Sequence, residues 1–185
     1  MTVGLGTGTT VAYLVPALAA RKLDILCVAT SPATAESATG LGLRVEPFRS
    51  IDRLDMAIDG ADQVAPDGWL IKGGGGAHTR EKVVAAAAER FVVIVSSDKL
   101  VEKLSPPVPL ELLEFGLEST LRALGTARLR AGAPLSPDGG VIADWIGPLE
   151  DPAELAGYLS AVPGVVQHGL FAPTMVSDVV VGRPN

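Results

Sequence analysis

The segment from Ile58 to Lys82, IDGADQVAPDGWLIKGGGGAHTREK, concentrates side chains and glycines that could do acid-base chemistry. Its carboxylates include Asp59, Asp62 and Glu81, and Lys72 precedes four successive glycines. A carboxylate near an ammonium and backbone amides is suited to removing a proton α to a carbonyl, because the base takes the proton and the donors stabilise the oxyanion. The segment therefore indicates proton transfer on a carbonyl compound.

Each part of this segment also has a purely structural interpretation. Asp59 and Asp62 in DGAD are typical of an Asx turn with solvated carboxylates. The glycines at 73–76 are compatible with a flexible surface loop, although ordering each one costs roughly 0.5–1 kcal/mol relative to alanine. Glu81 follows the candidate helix cap Thr79, and a glutamate in a first helical turn is favoured by the helix dipole alone. Both interpretations stay open for each motif taken singly.

A second glycine-rich motif, GLGTGTT, runs from Gly4 to Thr10 between a predicted strand and a predicted helix. Its amides and the hydroxyls of Thr7, Thr9 and Thr10 could hold a phosphate, because a helix N-terminus carries unpaired N–H groups. The motif matches neither the dinucleotide fingerprint nor a P-loop, since position 9 is threonine and no Gly-Lys pair follows. The structural alternative is a tight turn with a threonine cap.

The elements that must position these motifs alternate between short apolar runs and helix-like segments through the first hundred residues. This alternation predicts an α/β fold with a mostly parallel, Rossmann-like sheet and helices on both faces. Ligands in such folds bind at the carboxyl ends of the strands, where GTGTT and DGADQ emerge. The predicted strands are 1–5, 25–29, 43–48, 55–58, 69–71 and 91–96, and the predicted helices are 9–20, 34–39 and 79–90.

The pattern changes at Ser105, because SPPVPL carries three prolines and cannot continue a helix. The predicted order that follows is strand, helix, strand, strand, helix, strand, which indicates a small α+β (ferredoxin-like) domain. A hairpin turn is expected at Asp138-Gly139-Gly140. These strands are 108–113, 126–130, 140–145 and 165–170, and the helices are 116–124 and 152–161.

A final strand at 178–182 is expected to return to the first sheet. The sequence therefore predicts two domains. The α/β catalytic domain comprises residues 1–104 and 172–185, and the smaller α+β lid domain comprises residues 105–171.

The composition is that of a folded globular protein, with 185 residues of which 48% are hydrophobic. A net charge of −6 disfavours nucleic acid and anionic membrane surfaces as partners, since both attract lysine and arginine. The apolar stretches are interrupted before about 18 residues, and the N-terminus lacks the pattern of a signal peptide. Cys27, alone in the apolar run DILCVAT, is typical of a buried thiol in a reducing compartment. A cytoplasmic location is expected.

Several of these motifs together resemble ribose-5-phosphate isomerase A, a family that interconverts ribose 5-phosphate and ribulose 5-phosphate in the non-oxidative pentose phosphate pathway. VGLGTGTT is similar to that family's first strand and phosphate loop, and AIDGADQ to its aspartate loop. IKGGGGAHTREK is similar to its lysine-glycine loop and catalytic helix, and VSSDK and PGVVQHGLF to two later motifs. The resemblance covers nearly the whole chain.

The resemblance implies that Glu81 is the base that shuttles a proton between C1 and C2 through an enediolate. It also implies that Asp59, Asp62 and Lys72 surround the reacting oxygens, with Asp59 taking part in opening the furanose ring. Lys72 and the glycine amides would stabilise the enediolate. The implied substrate-binding set, with the threonines and Lys99 nearest the phosphate, is Thr7, Gly8, Thr9, Thr10, Asp59, Gly60, Ala61, Asp62, Lys72, Gly73, Gly74, Gly75 and Lys99.

The resemblance implies no metal and no organic cofactor, because a base and an oxyanion site suffice for this proton transfer. The implied partner is a small sugar phosphate, and the implied assembly is a homodimer or homotetramer. Gln63 stands where the family usually has glutamate. The sequence also begins inside the family's first strand, after its usual first helix, and ends at GRPN before its usual last strand.

Two other classes of function use the same sheet architecture. The first is a sugar-phosphate sensor without catalysis, or an isomerase that has lost activity. The second is an acyl-CoA transferase with a glutamate nucleophile. The complete set of acid-base residues and the lack of a DNA-binding segment disfavour the sensor, and the length of the chain disfavours the transferase.

Overall fold

A computed structural model describes residues 1–182 of the chain. Residues 183–185, which the sequence assigns to the α/β domain, lie outside the described residues. The chain divides into two compact units. Unit 1 comprises residues 1–61, residues 80–98 and the described residues from Thr174 onward, and unit 2 comprises residues 62–79 and 99–173.

Unit 1 is built on a six-stranded sheet. Its strands are β1 (Thr2–Leu5), β2 (Leu26–Ala29), β3 (Arg44–Val45), β4 (Met56–Asp59), β7 (Phe91–Ser96) and β13 (Asp178–Gly182). The order across the sheet is β13-β7-β4-β1-β2-β3, and every neighbouring pair is parallel. The parallel sheet and the returning last strand predicted from the sequence are confirmed. Because β1 and β4 are parallel neighbours, the loops that follow them leave the same edge.

Helices α1 (Thr9–Ala20) and α2 (Pro32–Gly40) follow β1 and β2, and α3 (His78–Ala87) precedes β7. A cluster of buried side chains that includes Leu5, Val11, Val15 and Cys27 packs in this unit. The predicted burial of Cys27 is confirmed, and burial raises the pKa of its thiol. Helix α1 thus packs its apolar face against strands β1 and β2, and its N-terminus directly follows the loop after β1.

Two predicted elements of unit 1 are shorter than expected. The strand predicted at 43–48 stops at Val45, and a 3-10 turn occupies Phe48–Ser50 after Pro47, which has no N–H to donate to a sheet. The helix predicted at 79–90 ends at Ala87. The chain leaves the helix because Leu54 pairs with it: the Leu54 amide donates to the Ala87 carbonyl and the Glu89 amide donates to Leu54.

Unit 2 contains the predicted α+β arrangement. Its strands β8 (Val108–Leu112), β9 (Ala127–Leu129), β10 (Val141–Trp145) and β11 (Val165–His168) alternate with helices α4 (Leu117–Leu124) and α5 (Pro152–Ala161). The antiparallel order β11-β8-β10-β9 is that of a ferredoxin-like split βαβ unit. Buried leucines, including Leu110, Leu112 and Leu159, form its core.

A third, three-stranded sheet in unit 2 was not predicted. It consists of β5 (Gln63–Val64), β6 (Leu70–Ile71) and β12 (Leu170–Phe171), in the order β12-β6-β5. The single strand predicted at 165–170 is therefore wrong: the chain changes sheets at Gly169, whose amide still donates to Pro109 of β8 at 2.7 Å while its carbonyl accepts from the Lys72 amide, next to β6, at 2.9 Å. Residues 62–79 belong to unit 2 through this pairing, and the domain boundaries inferred from the sequence stay a prediction. Among residues 1–182, no helix has the length and apolarity to span a membrane.

Candidate active site

The loop between β1 and α1 carries the GTGTT motif at the carboxyl edge of the parallel sheet. Gly8 is the N-cap of α1 with a φ of 115°, a backbone conformation that favours glycine. The amide of Ala12 donates to the Gly8 carbonyl at 3.0 Å, so the N–H groups of Thr9, Thr10 and Val11 precede the first intrahelical bond. This is the arrangement that binds anions at helix N-termini.

Asp59, the last residue of β4, lies directly beneath this loop. Its side chain is buried, with 3% exposed. Its Oδ1 accepts hydrogen bonds from the amides of Thr7 at 3.1 Å and Gly60 at 2.7 Å. A Cβ on Gly6 would lie 1.9 Å from that carboxylate, so the approach requires glycine. Asp59 therefore shapes the loop, and the amide of Thr7 is engaged by protein.

Three buried residues that sequence reasoning missed support the loop from the start of α2. Thr30 Oγ1 lies 2.7 Å from Thr7 Oγ1. Thr34 Oγ1 donates to the Gly6 carbonyl at 3.0 Å and accepts a hydrogen bond from Ser31. The Ser-Pro pair that starts α2 can be read locally as a helix cap. The bond from Thr34 to Gly6 spans 28 residues and leaves no local signal.

An open cavity of about 560 Å³ lies at the ends of β7 and β13 in unit 1. Its walls include Thr10 of the GTGTT loop and Ser96, Ser97 and Asp98 at the end of β7. The volume falls within the range of small-molecule sites. The GTGTT loop thus borders a space large enough for a phosphorylated sugar.

Glu81 is placed in the first turn of α3, and its side chain is buried, with 5% exposed. A glutamate that served the helix dipole alone would stay in solvent, and glutamate is among the residues least often buried. The neighbouring Lys82 is half-buried, and desolvation lowers its pKa to about 7. The predicted cap Thr79 is the second residue of the helix, because the helix begins at His78, and its hydroxyl donates to the buried carboxylate of Glu111.

In unit 2, Asp62 and the glycine run form a second local arrangement. Asp62 is exposed, and its Oδ2 accepts a hydrogen bond from the Gly74 amide at 2.8 Å. A Cβ on Gly74 would lie 2.9 Å from Asp62 Oδ1. Gly73 has a φ of 109°, and a Cβ there would lie 2.7 Å from His78 Nδ1. Gly73 and Gly74 are thus held by specific contacts, which argues against a flexible linker.

Lys72 is buried, with 3% exposed, and its surroundings come from the late PGVVQHGLF motif. Its amide donates to the Gly169 carbonyl at 2.9 Å, and its Nζ lies 5.4 Å from the ring centroid of Phe171. A Cβ on Gly169 would lie 2.1 Å from the Lys72 carbonyl oxygen. The late motif therefore holds the backbone of Lys72 in place and faces its ammonium with an aromatic ring.

Arg130, which sequence reasoning missed, contacts the glycine run directly. Its Nη1 donates to the carbonyls of Gly73 at 3.1 Å and Gly74 at 2.9 Å. Its other nitrogens pair with Asp144, with Nε at 2.9 Å and Nη2 at 2.5 Å from the carboxylate oxygens. The charged Asp144 inside the apolar run VIADW was a sequence signal, although its partner could not be read from the sequence.

Gln63, the departure from the family pattern, pairs with the backbone of Ser105. Its Nε2 donates to the Ser105 carbonyl at 2.9 Å, and its Oε1 accepts from the Ser105 amide at 2.9 Å. A glutamate carboxylate has no donor for the first of these bonds. The glutamine is therefore explained by local structure.

The predicted site residues divide between the two units. The sequence suggested Asp59 and Asp62 as a pair on one loop, but Asp59 bonds the GTGTT loop and Asp62 bonds the glycine run. Lys99 is the last residue of a 3-10 turn at Ser97–Lys99. Within residues 1–182, no group of three His, Cys, Asp or Glu side chains is placed to hold a metal ion. Unit 1 holds Thr7, Gly8, Thr9, Thr10, Asp59, Gly60, Ala61 and Glu81, and unit 2 holds Asp62, Lys72, Gly73, Gly74, Gly75 and Lys99.

Two relatives of this chain carry the same name. Ribose-5-phosphate isomerase A from Nitrobacter hamburgensis is 44% identical, with 92% of this chain and 82% of the relative covered. The protein of that name from a Roseiflexus species is 45% identical, with 100% of this chain and 86% of the relative covered. The family model for ribose 5-phosphate isomerase A (phosphoriboisomerase A) matches residues 26–185.

Solved structures agree with the relatives. Ribose 5-phosphate isomerase A from Methanocaldococcus jannaschii superposes with a TM-score of 0.92 at 34% identity, covering 98% of this chain and 87% of that one. A D-ribose-5-phosphate isomerase in complex with phospho-erythronic acid also gives a TM-score of 0.92, at 33% identity, covering 99% of this chain and 87% of that one. Sequence, fold and motif order thus agree along nearly the whole length, and the chain belongs to the ribose 5-phosphate isomerase A family.

Proposed function

We propose that this protein is an aldose-ketose isomerase that interconverts D-ribose 5-phosphate and D-ribulose 5-phosphate through an enediolate. The observation that carries the proposal is the buried carboxylate of Glu81 in the first turn of α3, within a chain of this family. The buried position of Glu81 supports a chemical role, since a structural first-turn glutamate would be solvated.

In the proposed reaction, Glu81 removes the proton from C2 of the open-chain aldehyde. The electrons of the C2–H bond form the C1–C2 double bond, and the carbonyl electrons move to O1. The carboxylic acid so formed returns the proton to C1, while the proton of the O2 hydroxyl passes to O1 and leaves the ketose carbonyl at C2. Such a base contributes about 10²–10⁴-fold in rate, equivalent to roughly 3–5 kcal/mol of barrier.

In this proposal the other site residues bind the substrate and stabilise the enediolate. The buried ammonium of Lys72 and the amides of the glycine run stabilise the developing negative charge on O1 and O2. Asp59 assists the opening of the furanose ring, and Asp62 contacts the reacting hydroxyls. The phosphate is bound by the N-terminus of α1 at Gly8, Thr9 and Thr10, together with Lys99. Proton transfer between adjacent carbons uses no metal or organic cofactor here.

We also propose a cytoplasmic location and assembly into a homodimer or homotetramer. The single buried thiol of Cys27 is in keeping with a reducing compartment, and the family's substrates are intermediates of central carbohydrate metabolism. Multi-angle light scattering of the purified chain gives the number of subunits directly. A monomeric mass would exclude the assembly.

The test is isomerisation of ribose 5-phosphate by the purified protein in D₂O, followed by NMR. We expect ribulose 5-phosphate to form and solvent deuterium to appear on the carbon that receives the proton. Binding of ribose 5-phosphate without ketose formation would support a sensor or an inactive isomerase. Thioester formation with an acyl-CoA donor would support a transferase.

A further inference from the structure

Arg130 is a cation that bonds the backbone of the glycine run. Its guanidinium is partly buried and makes two kinds of contact. One nitrogen donates to the carbonyls of Gly73 and Gly74, and the other two donate to both oxygens of Asp144. A planar guanidinium can make both sets of bonds at once, whereas an ammonium cannot.

These contacts fix the direction of two peptide groups. In a trans peptide the N–H points opposite to the C=O, so a bond to the Gly73 carbonyl directs the Gly74 N–H away from Arg130. That N–H donates to Asp62 Oδ2 at 2.8 Å. The bond to the Gly74 carbonyl directs the Gly75 N–H in the same manner. Arg130 thereby acts on Asp62 through one peptide group and on the Gly75 amide through the next.

The glycine run needs such an external support. Glycine has the greatest backbone freedom of any residue, and within the run the bond from the Gly76 amide to the Gly73 carbonyl closes a single turn. A cationic donor also polarises the peptide groups it bonds, which makes their N–H groups stronger donors. Hydrogen bonding with Asp144 raises the pKa of Arg130, so the cation is permanent.

We propose that Arg130, held by Asp144, is a positioning residue for the isomerisation, which presets Asp62 and the Gly75 amide for the enediolate. This inference rests on the proposed function. Arg130 touches no reacting atom in this proposal, and its effect is transmitted by the peptide groups of Gly73 and Gly74. The stabilisation of the transition state is therefore expected to suffer more than the binding of the substrate.

The experiment compares R130A and D144N with R128A, whose arginine lies on β9 and bonds the carbonyls of Gly125 and Ala127. We expect kcat to fall about 10–100-fold in R130A, by the usual effect of a supporting residue, with a smaller change in KM. We expect D144N to fall in the same direction by less, and R128A to match the wild type. Added guanidinium ion should restore part of the kcat of R130A.

A readout independent of activity separates this inference from the proposed function. The amide ¹H–¹⁵N signals of Gly74 and Gly75 should shift in R130A and D144N and stay in place in R128A. If the wild type does not isomerise ribose 5-phosphate, the proposed function fails, and unshifted glycine signals would overturn the positioning as well. Unchanged kcat in R130A, or a fall in kcat with unshifted glycine signals, overturns the role of Arg130. If R130A does not fold, D144N carries both measurements.

Discussion

The two aspartates of DGAD do similar work in different settings. Asp59 is buried in unit 1 and accepts hydrogen bonds from the amides of Thr7 and Gly60, which shapes the GTGTT loop. Asp62 is exposed in unit 2 and accepts a hydrogen bond from the amide of Gly74 in the glycine run. Each carboxylate thus organises a glycine-rich loop through backbone amides, but they differ in how much solvent can replace those bonds.

Because Asp59 is buried and Asp62 is exposed, we expect their removal to affect folding stability and catalysis to different degrees. A buried acceptor that is removed leaves amides without partners at a cost of roughly 1–3 kcal/mol, whereas water can satisfy an exposed amide. Asp59 is therefore expected to matter for folding as well as for substrate binding. Asp62 is expected to matter chiefly for the reaction.

We expect the largest loss of kcat on replacing the proposed base, Glu81, and smaller effects on replacing either aspartate. Glu81→Gln should fold normally and lose about 10²–10⁴-fold in kcat, because the amide cannot accept the proton from C2. Steady-state assays with ribose 5-phosphate measure the loss. Glu36→Gln, at an exposed position of α2, is the matched control and should keep wild-type turnover. A near-wild-type kcat in Glu81→Gln would remove that residue from the role of base.

The second prediction tests the aspartates directly. Asp59→Ala should lower the free energy of unfolding by roughly 1–3 kcal/mol and raise KM, because the GTGTT loop loses its acceptor. Asp62→Ala should change the stability by less than about 1 kcal/mol and act mainly on kcat. Urea unfolding and steady-state kinetics give both quantities. Equal losses of stability in the two variants would refute the distinction drawn from burial.

The third prediction replaces the glycines against which the aspartates pack. Gly6→Ala places a Cβ 1.9 Å from the buried Asp59 carboxylate, so we expect a loss of roughly 1–3 kcal/mol from overpacking. Gly74→Ala places a Cβ 2.9 Å from an Asp62 oxygen, and this exposed side chain can turn aside. Its stability loss should be smaller. Gly157→Ala, in α5 with open space around its Cβ position, is the control and should not destabilise.

The last prediction concerns the pH dependence of stability. Desolvation lowers the pKa of Lys82 from 10.5 to about 7 in the folded chain, so between these values the unfolded chain binds more protons. Stability should therefore rise with pH from about 7 towards 10.5, and the penalty of charging Lys82 is fully present below pH 7. Thermal unfolding of wild type and Lys82→Met between pH 6 and 10 measures the difference. The same pH dependence in both proteins would show that Lys82 is not the source.

Local sequence patterns predicted the regular elements of the fold well. The helix at 9–20 is observed at Thr9–Ala20, and the strand at 91–96 at Phe91–Ser96, because apolar periodicity and flanking turn residues specify such elements locally. The two-residue strand β5 was missed, since so short a segment has no period to detect. The switch of sheet at Gly169 was missed for another reason: it depends on the bond from the Lys72 amide to the Gly169 carbonyl and on pairing with β6, both distant in sequence.

In the candidate site, too, residues within local motifs were predicted and those that depend on distant contacts were not. Local motifs of charged residues and glycines were sufficient to predict Glu81, Asp59 and Lys72 as candidate site residues. Arg130 is separated from Gly74 by 56 residues, and nothing around it in RLRAG distinguishes it from a surface arginine. Residues such as Arg130 support a site through contacts that are distant in sequence. A sequence therefore indicates them only where a charged residue interrupts an apolar strand, as Asp144 does.

The paired bonds between Gln63 and Ser105 have a consequence for the chemical ageing of the protein. Pro106 and Pro107 follow Ser105 and have no N–H groups, so the side-chain amide of Gln63 takes the place of a neighbouring strand at this point. Deamidation of Gln63 would remove the donor and set a carboxylate against the Ser105 carbonyl. One hydrolytic event would thereby remove one of the two bonds that hold the segment leading into β8, while the Ser105 amide would keep its acceptor.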